Sequence, residues 1–388
     1  MKKKILVVAG EASGDLHGAG LLKELKKINP DLDFFGMGGD KMRKEGLKLL
    51  YHINQVSFMG LFEILSHLSF LRRVFKNMIE QIDSNKPDLA ILIDYSGFNL
   101  RLAKKLKQKN ISIVYYISPQ VWAWRKNRVH KIKKYVDKMI VFFPFEVDFY
   151  NKEGMKVELV GHPLVNLAKP VLQKEEFLKK IQVERNQTII GLLPGSREQE
   201  IKKIFPVMLE ACQILKNKLK NIKVAIGLAP TINKKLVLSR LNQNSDTQIL
   251  ENLTYDVMKY SDLLLVTSGT ATVESALMET PMLVIYKTNF LTYFLAKLLV
   301  KVPYISMVNL IAQKQIVPEF IQSQASPHLI AREMERILQD KVKYQQTKQE
   351  LSQIKSKLSS NNNKDSDSPY LRAAKIVNQI LRSNLTNA

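Results

Sequence analysis

Residues 5–15 read ILVVAGEASGD: a short apolar run, a glycine and then a segment that can begin a helix. Five consecutive apolar residues, Ile5 to Ala9, are typical of a strand inside a parallel sheet. The run is shorter than the roughly 7–15 apolar residues of an export signal, and Gly10 and Glu11 end it at once. The stretch therefore predicts the first strand and the first helix of an α/β fold.

Short apolar runs alternate with segments of helical period along most of the chain, which predicts parallel sheets wrapped by helices. In the first half we expect strands at Ile5–Ala9, Asp33–Met37, Leu89–Asp94, Ser112–Ile117 and Lys138–Phe143, with helices near Asp15–Ile28, Met59–Asp83 and Phe98–Lys109. In the second half we expect strands at Thr188–Leu193, Lys223–Leu228, Asp262–Thr267 and Met282–Tyr286, with helices near Gln199–Leu219 and Thr270–Glu279. Because the pattern occurs twice, it predicts two domains, 1–163 and 164–357, followed by a linker and closing helix at 358–388.

The composition limits the possible functions. The 388 residues include 59 Lys and Arg against 36 Asp and Glu, and the net charge of +23 predicts an anionic partner. An apolar content of 45% excludes disorder for most of the length. The single cysteine, Cys212, excludes a disulfide scaffold and a Cys-rich zinc site and indicates a reducing compartment. Three lysines interrupt the apolar segment 282–312, so no membrane-spanning helix is expected there.

A turn in the second half has the composition of a phosphate site. Leu193-Pro194-Gly195-Ser196-Arg197 follows a predicted strand and opens a helix. Gly195 allows the backbone to approach a ligand, the helix N-terminus presents free amides, and Arg197 adds a forked cation. The alternative is an ordinary strand-to-helix turn whose arginine is solvated.

A second turn, Ser268-Gly269-Thr270, also ends a strand and starts a helix. Its amides and hydroxyls can receive another phosphate, and Glu274 can accept hydrogen bonds from a ribose diol. The alternative for Glu274 is a favourable interaction with the helix dipole alone. Two such turns suggest a diphosphate nucleotide. Neither is a Walker loop or a GxGxxG fingerprint, so kinase, ATPase and dehydrogenase functions lose support.

Acidic residues follow two strands of the first half. Glu11, Asp15 and His17 are candidate bases or hydroxyl ligands, and Ser13 is a candidate donor; Asp15 is alternatively an N-cap. Asp94 ends an apolar strand before a glycine-containing turn, where a partly desolvated carboxylate can act as a general base. The other histidines lack the spacing of metal ligands.

Two apolar segments that also carry basic residues, 59–79 in the first half and 289–302 in the second, suggest an interaction with lipid. The helix predicted near Met59–Asp83 carries an apolar face over 59–79 that includes Phe62, Leu65, Leu68 and Leu71, and the later end of that face is basic. Core packing is the alternative to membrane docking. A basic cluster at 125–138 follows Trp122 and Trp124, and it can be a solvated helix face, a phospholipid contact or a nucleic-acid contact.

The ordered set of motifs resembles the lipid-A-disaccharide synthases, a family of GT-B fold glycosyltransferases. The motifs are GEASGDLHGA (10–19), FMG (58–60), the segment 94–99, SPQVWAWR (118–125), FPFE (143–146), GHPL (161–164), LLPGSR (192–197), SGTATVE (268–274) and VPEF (317–320). The resemblance implies two Rossmann-like domains that face each other across a cleft. It also implies inverting transfer of 2,3-diacylglucosamine from its UDP derivative to 2,3-diacylglucosamine 1-phosphate, which gives a β-1,6 linkage and releases UDP.

The resemblance also implies roles for individual residues. Arg197, Ser268, Gly269, Thr270 and Glu274 would hold UDP together with Gly195, Ser196 and Asn309, while Glu11, Ser13, Asp15, His17 and Asp94 would line the reacting centre, with Asp94 as the base. No metal or other cofactor and no nucleic acid are expected. The expected location is the cytoplasmic side of an anionic inner membrane, with an oligomer possible. After Asn309 the family commonly has NLLAGRE, whereas this chain has Gln313-Lys314-Gln315, so the diphosphate contact expected from this loop is altered.

Overall fold

The computed structural model describes residues 2–56, 67–123, 127–184, 186–241, 247–289, 293, 294, 297, 302–359 and 367–386. The chain forms two compact units. The first comprises Met1–Pro163 together with Ser360–Ala388, and the second comprises Leu164–Ser359. The chain therefore returns to its first unit at its C-terminal end.

The first unit contains a seven-stranded parallel sheet with the order β3-β2-β1-β4-β5-β6-β7. Its strands are β1 Lys3–Ala9, β2 Leu32–Gly38, β3 Leu47–His52, β4 Leu89–Ile93, β5 Ser112–Tyr116, β6 Lys138–Val141 and β7 Glu158–Leu159. Its helices before the second unit are α1 Ala12–Ile28, α2 Asp40–Lys44, α3 Ile53–Val56, α4 Leu68–Asn85, α5 Ser96–Gln108, α6 Arg128–Tyr135 and α7 Pro144–Lys152.

Side chains of the first sheet alternate between two apolar cores, one on each face. Leu6 and Val8 pack into one core, whereas Ile5, Val7 and Ala9 pack into the other. All five are fully buried. A strand covered on both faces has a continuous apolar sequence, which is why the run at the start of the chain predicted it.

The strand order reverses between β1 and β4. These strands pair in parallel from Ile5 opposite Leu89 to Ala9 opposite Ile93. Consequently the loop that begins at Gly10 and the loop that begins at Asp94 leave the same edge of the sheet side by side. Open α/β sheets bind their ligands at this reversal of strand order.

The second unit contains a six-stranded parallel sheet with the order β10-β9-β8-β11-β12-β13. Its strands are β8 Thr188–Leu193, β9 Ile222–Leu228, β10 Thr247–Glu251, β11 Leu263–Thr267, β12 Met282–Tyr286 and β13 Glu319–Ile321. Its helices are α8 Leu164–Leu167, α9 Lys174–Lys180, α10 Glu198–Lys218, α11 Lys234–Leu238, α12 Thr254–Tyr260, α13 Thr270–Leu277, α14 Met307–Ala312, α15 Pro327–Gln339 and α16 Lys341–Leu358, with a 3₁₀ turn at Gln322–Gln324. The order reverses between β8 and β11, the strands that precede the two predicted phosphate turns.

The last helix, α17 Pro369–Thr386, packs against α1 in the first unit. Its residues Ala373, Ala374, Val377 and Leu381 are buried in the core that contains Ile5. A Cβ placed on Gly20 of α1 would lie 2.4 Å from the ring of Tyr370, so the two helices approach closely there. The sequence left open whether this helix packs on its own chain, and the structure places it there.

The apolar helix predicted near Met59–Asp83 is described only from Leu68 onward, as α4. Phe62 and Leu65 lie outside the described residues. Leu68 and Leu71 are half-buried. Further along α4, Val74, Met78 and Ile82 are buried in the core that contains Leu6, so this part of the helix packs inside the protein. Among the described helices, none is both long and apolar enough to cross a membrane.

Candidate active site

Asp94 and Tyr95 form a sharp turn at the carboxyl end of β4. Their φ angles are +44° and +42°, a left-handed conformation that is uncommon for side chains of this kind. Backbone strain of this kind persists where the surroundings fix it, and it concentrates at functional sites. The turn directs the chain into α5 and leaves Asp94 half-buried at the strand end.

The buried amide of Asn99 holds this turn in place. Its Nδ2 donates to the carbonyl of Asp94 at 3.0 Å, to that of Ile93 at 3.1 Å and to that of Val8 at 3.4 Å. The hydroxyl of Tyr115 also donates to the Asp94 carbonyl. One side chain thus ties the end of β4 to the end of β1, next to Glu11.

The surroundings of Asp94 suit a base that works near neutral pH. Burial raises the pKa of its carboxyl to about 7, and the negative charge of Glu11 also raises it, against a hydrogen bond from the Tyr95 backbone that lowers it. Both causes disfavour the charged form. A carboxylate with a pKa near the working pH accepts a proton more effectively than an ordinary aspartate.

Asp15 has a structural task. Its Oδ1 accepts from the backbone amides of Gly39 at 2.8 Å and Met42 at 3.0 Å, and its Oδ2 accepts from that of Lys41 at 3.1 Å. The carboxylate therefore caps the N-terminus of α2. Three amides hold this buried side chain, which gives it a structural role, and its part in catalysis stays a prediction. The alternative N-cap of its own helix is wrong, since Glu11 occupies that position.

The other residues of the first loop differ in accessibility. Ser13 is exposed in the first turn of α1, so it stays a candidate donor. His17 is buried, and its Nδ1 lies 3.0 Å from the hydroxyl of Tyr370 on α17. Burial lowers the pKa of His17 to about 4, so the ring is neutral at pH 7. The ring packs between α1 and α17, and its contact with a substrate stays a prediction.

The turn at Gly195 is occupied by a carboxylate of the chain itself. Oε2 of Glu200 accepts from the backbone amides of Ser196 at 2.9 Å and Arg197 at 3.2 Å. The Arg197 guanidinium lies 3.3 Å from Oε1 of the same side chain. Gly195 has a φ of +118°, and a Cβ there would lie 2.4 Å from Glu200. The turn therefore binds an anionic group, the Glu200 carboxylate. The amides of Ser196 and Arg197, which were expected to be free for a ligand, are engaged in capping α10.

The turn at Ser268-Gly269-Thr270 is more open. Gly269 and Thr270 are exposed, and a Cβ added to Gly269 would meet no atom within 4 Å. The Ser268 hydroxyl donates to the carbonyl of Ile305 at 3.2 Å. The backbone at the N-terminus of α13 is thus accessible to a ligand. Glu274, one turn further along, accepts a 2.8 Å hydrogen bond from the hydroxyl of Tyr255.

Asn309 is fully buried, and its side chain organises the loop around it. Its Nδ2 donates to the carbonyl of Val317 and to Oε1 of Glu319, while its Oδ1 accepts from the amides of Ile316 and Val317. All four hydrogen-bonding positions of the amide are therefore used within the protein. The side chain therefore fixes the loop, and a contact between Asn309 and UDP stays a prediction.

The departure from the family sequence has a visible consequence after α14. Gln313 adopts a φ of +58° at the C-terminus of this helix, a conformation that glycine adopts without strain. Lys314 forms an ion pair with Glu350 on α16 at 2.7 Å, so it is engaged within the second unit.

Several residues that shape these sites were missed at the sequence level. Asn99 and Glu200 lie in segments predicted as ordinary helix, and Tyr255 lies in a segment for which no element was predicted. The signal for Glu200 was its position three residues after Arg197, the spacing of a capping box. The contacts of Asn99 and Tyr255 depend on tertiary structure, which local spacing does not reveal.

Comparison with known proteins finds relatives of the whole chain. Residues 5–374 match the family model described as lipid-A-disaccharide synthetase. A lipid-A-disaccharide synthase of Geobacter sulfurreducens is 42% identical over 356 residues, which cover 92% of this chain and 93% of the relative.

Solved structures with little sequence similarity share the fold. The calicheamicin glycosyltransferase CalG4 has a TM-score of 0.62 at 14% identity and covers 98% of both chains. A UDP-GlcNAc 2-epimerase of Neisseria meningitidis bound to UDP-GlcNAc has a TM-score of 0.59 at 14% identity, covering 98% of this chain and 100% of that chain. The predicted fold class, two Rossmann-like domains of the GT-B type, is confirmed.

Proposed function

This chain belongs to the lipid-A-disaccharide synthase family, and from that membership we propose how its residues divide the reaction. It is a glycosyltransferase that forms the lipid A disaccharide in lipopolysaccharide biosynthesis. The donor is UDP-2,3-diacylglucosamine and the acceptor is 2,3-diacylglucosamine 1-phosphate. Transfer to the acceptor's 6-hydroxyl gives the β-1,6-linked disaccharide 1-phosphate and UDP.

Asp94 is the general base in this proposal. An inverting transfer needs one group that removes the proton from the attacking hydroxyl while the bond to the diphosphate breaks. The observation that supports this role is the placement of Asp94 at the reversal of strand order, on a strained turn beside Glu11. The negative charge of Glu11 favours the protonated form of Asp94 and so helps it to retain the proton that it receives.

The second unit holds UDP. The exposed residues Gly269 and Thr270 and the positive end of the α13 dipole suit a phosphate group. Arg197, whose side chain is 59% exposed, supplies a cation for the departing diphosphate. Glu274 accepts hydrogen bonds from the ribose hydroxyls. Ser196 contributes its amide only when Glu200 releases it.

The protein acts at a membrane surface on the cytoplasmic side. Both substrates carry acyl chains, and the net charge of +23 favours an anionic bilayer. The segment that contains Phe62 and Leu65 is our candidate for the contact, continued by Leu68 and Leu71. Cosedimentation with vesicles of mixed anionic and neutral phospholipid tests this, with purely neutral vesicles as the control. An oligomer is compatible with this arrangement, and light scattering measures it.

Incubation with both acylated sugars, followed by mass spectrometry, tests the reaction. We expect the disaccharide 1-phosphate and an equal amount of UDP. Omission of the acceptor distinguishes the main alternative, because a UDP-sugar epimerase acts on its nucleotide sugar alone. An epimerised UDP-sugar without disaccharide, or no product from folded protein, would contradict the proposed function.

A further inference from the structure

Tyr255 and Glu274 form a hydrogen-bonded pair on two helices that follow the carboxyl ends of strands in the second sheet. Tyr255 is the second residue of α12, and Glu274 lies in α13, a neighbouring helix. The Tyr255 hydroxyl donates to Oε1 of Glu274 at 2.8 Å. Both side chains are half-buried, so a ligand at this edge can still reach the pair.

The position of α12 is itself fixed by the sheet and by the start of the second unit. Thr254, beside Tyr255, donates through its hydroxyl to the carbonyl of Leu228 at the end of β9, at 3.2 Å. Asp256, on the other side, is fully buried and accepts from the amides of Val171 and Leu172 at 3.0 and 2.7 Å. Tyr255 therefore projects from a firmly held point of the backbone.

We infer that Tyr255 is a positioning residue for nucleotide recognition: it fixes the Glu274 carboxylate so that Oε2 accepts from the ribose hydroxyls of a uridine diphosphate. The inference rests on the proposed function, in which Glu274 contacts the ribose. A glutamate side chain has three rotatable bonds, and ordering it costs free energy at the moment of binding. A hydrogen bond made before the ligand arrives removes much of that cost.

The hydrogen bond also affects the charge of Glu274. Burial raises the pKa of this carboxyl, whereas the hydrogen bond from Tyr255 lowers it and so favours the ionised form. An ionised carboxylate accepts stronger hydrogen bonds from a diol than a protonated one does. Tyr255 thus supplies both orientation and the required charge state.

The experiment compares binding of UDP with binding of 2′-deoxy-UDP by calorimetry, using the full chain. The ratio of the two dissociation constants measures recognition of the ribose 2′-hydroxyl, because a general loss of affinity changes both constants by the same factor. We expect Glu274→Gln to abolish most of the preference for UDP. Tyr255→Phe should weaken UDP binding by roughly fivefold to tenfold and 2′-deoxy-UDP binding much less, because it loosens the acceptor of the 2′-hydroxyl. In the Glu274→Gln background, Tyr255→Phe should have little further effect on the ratio.

Tyr260→Phe is the matched control. Tyr260 lies on the same helix, and its hydroxyl donates to the carbonyl of Leu172 at 2.7 Å rather than to Glu274. This variant should leave the ratio unchanged. If Tyr255→Phe also leaves it unchanged while Glu274→Gln lowers it, the positioning role is wrong. If Glu274→Gln itself has no effect on the ratio, the ribose contact in the proposed function is wrong, and the inference falls with it.

Discussion

The carboxylate of Glu200 occupies the turn before α10, which we propose as a phosphate site, with Oε2 2.9 Å from the backbone amide of Ser196. The same oxygen accepts from the amide of Arg197 at 3.2 Å. A diphosphate that uses these amides must displace this oxygen, and one that binds only to the Arg197 guanidinium still approaches a negative charge. In both cases Glu200 opposes the binding of UDP.

Glu200→Gln should therefore bind UDP more tightly than the wild type. Glutamine can preserve the capping interaction, since Gln serves at this position of a capping box as well as Glu, but it removes the charge. We expect the dissociation constant to fall by roughly threefold to tenfold, which corresponds to about 0.7–1.4 kcal/mol. Isothermal titration calorimetry with UDP at low ionic strength measures the change.

Glu198→Gln is the control for the loss of one charge in the same turn. Glu198 is exposed and lies 3.7 Å from Lys202, without the two amide contacts of Glu200. If Glu200→Gln tightens binding no more than Glu198→Gln, or weakens it, the anion-mimic interpretation is incorrect.

Asp94→Asn should lower turnover by about 10²–10⁴-fold, the usual contribution of a well-placed general base. UDP affinity should stay nearly the same, because the proposed UDP contacts lie in the second unit. Steady-state rates of disaccharide formation and calorimetry with UDP provide the two measurements. Asp88→Asn removes a carboxylate at the opposite end of β4, where Oδ2 accepts from the amide of Lys4, and should leave turnover within a few-fold. Near-normal turnover of Asp94→Asn would exclude Asp94 as the base.

The sequence predicted the central strands of both sheets but none of the four edge strands. β3, β7, β10 and β13 were all missed, and each lies at one end of its sheet. Central strands are buried on both faces and so have continuous apolar runs, whereas edge strands carry polar residues: β10 reads TQILE and β7 only EL. The edge strands lack a continuous apolar run because the edges of a sheet are exposed.

Local sequence indicates which residues stand at a strand end, whereas the contacts of their side chains depend on tertiary structure. Asp94 and Gly269 are recognisable because a strand end precedes each of them and a helix follows. Asp15 has the same local setting, yet its carboxylate caps α2, which begins 25 residues later in the chain. The same residue type follows a strand in both places, and only the fold decides which contacts its carboxylate makes.

The pH dependence of catalysis should report the ionisation of Asp94. The base is active when deprotonated, so kcat/KM should rise with pH and reach half its maximum near pH 7, given a pKa raised to about 7. Glu11→Gln removes the second cause of that shift but leaves burial, the larger one. We therefore expect the midpoint to move to lower pH by about half a unit to one unit.

Glu24→Gln is the matched control for this profile. Glu24 lies on α1, the helix that Glu11 precedes, and it pairs with Lys27 at 2.7 Å. Its substitution should leave the midpoint of the pH profile in place. A midpoint that stays fixed or rises in Glu11→Gln would contradict the proposed coupling between Glu11 and Asp94.

Asp94 should also reduce the stability of the enzyme at the pH where it is active. Its pKa is about 7 in the folded protein and 3.8 as the ordinary value, so between these limits the folded state binds more protons than the unfolded state. The stabilisation from this group is fully present below about pH 4, and it is lost as pH rises through 7. Ionisation of Asp94 therefore lowers the free energy of unfolding.

Asp94→Asn should abolish this loss, because asparagine stays neutral at every pH. Asparagine also tolerates the left-handed backbone at this position, so the turn should persist. We expect the variant to gain about 1–2 kcal/mol relative to the wild type at pH 8, less than the full shift would give because Asp94 is only partly buried, and to gain much less at pH 5. Urea unfolding at both pH values measures the difference, with Asp88→Asn as the control. An equal difference at pH 5 and pH 8 would mean that the Asp94 carboxyl has the same pKa in the folded and unfolded states. A raised pKa would then not explain how Asp94 acts as a base near neutral pH.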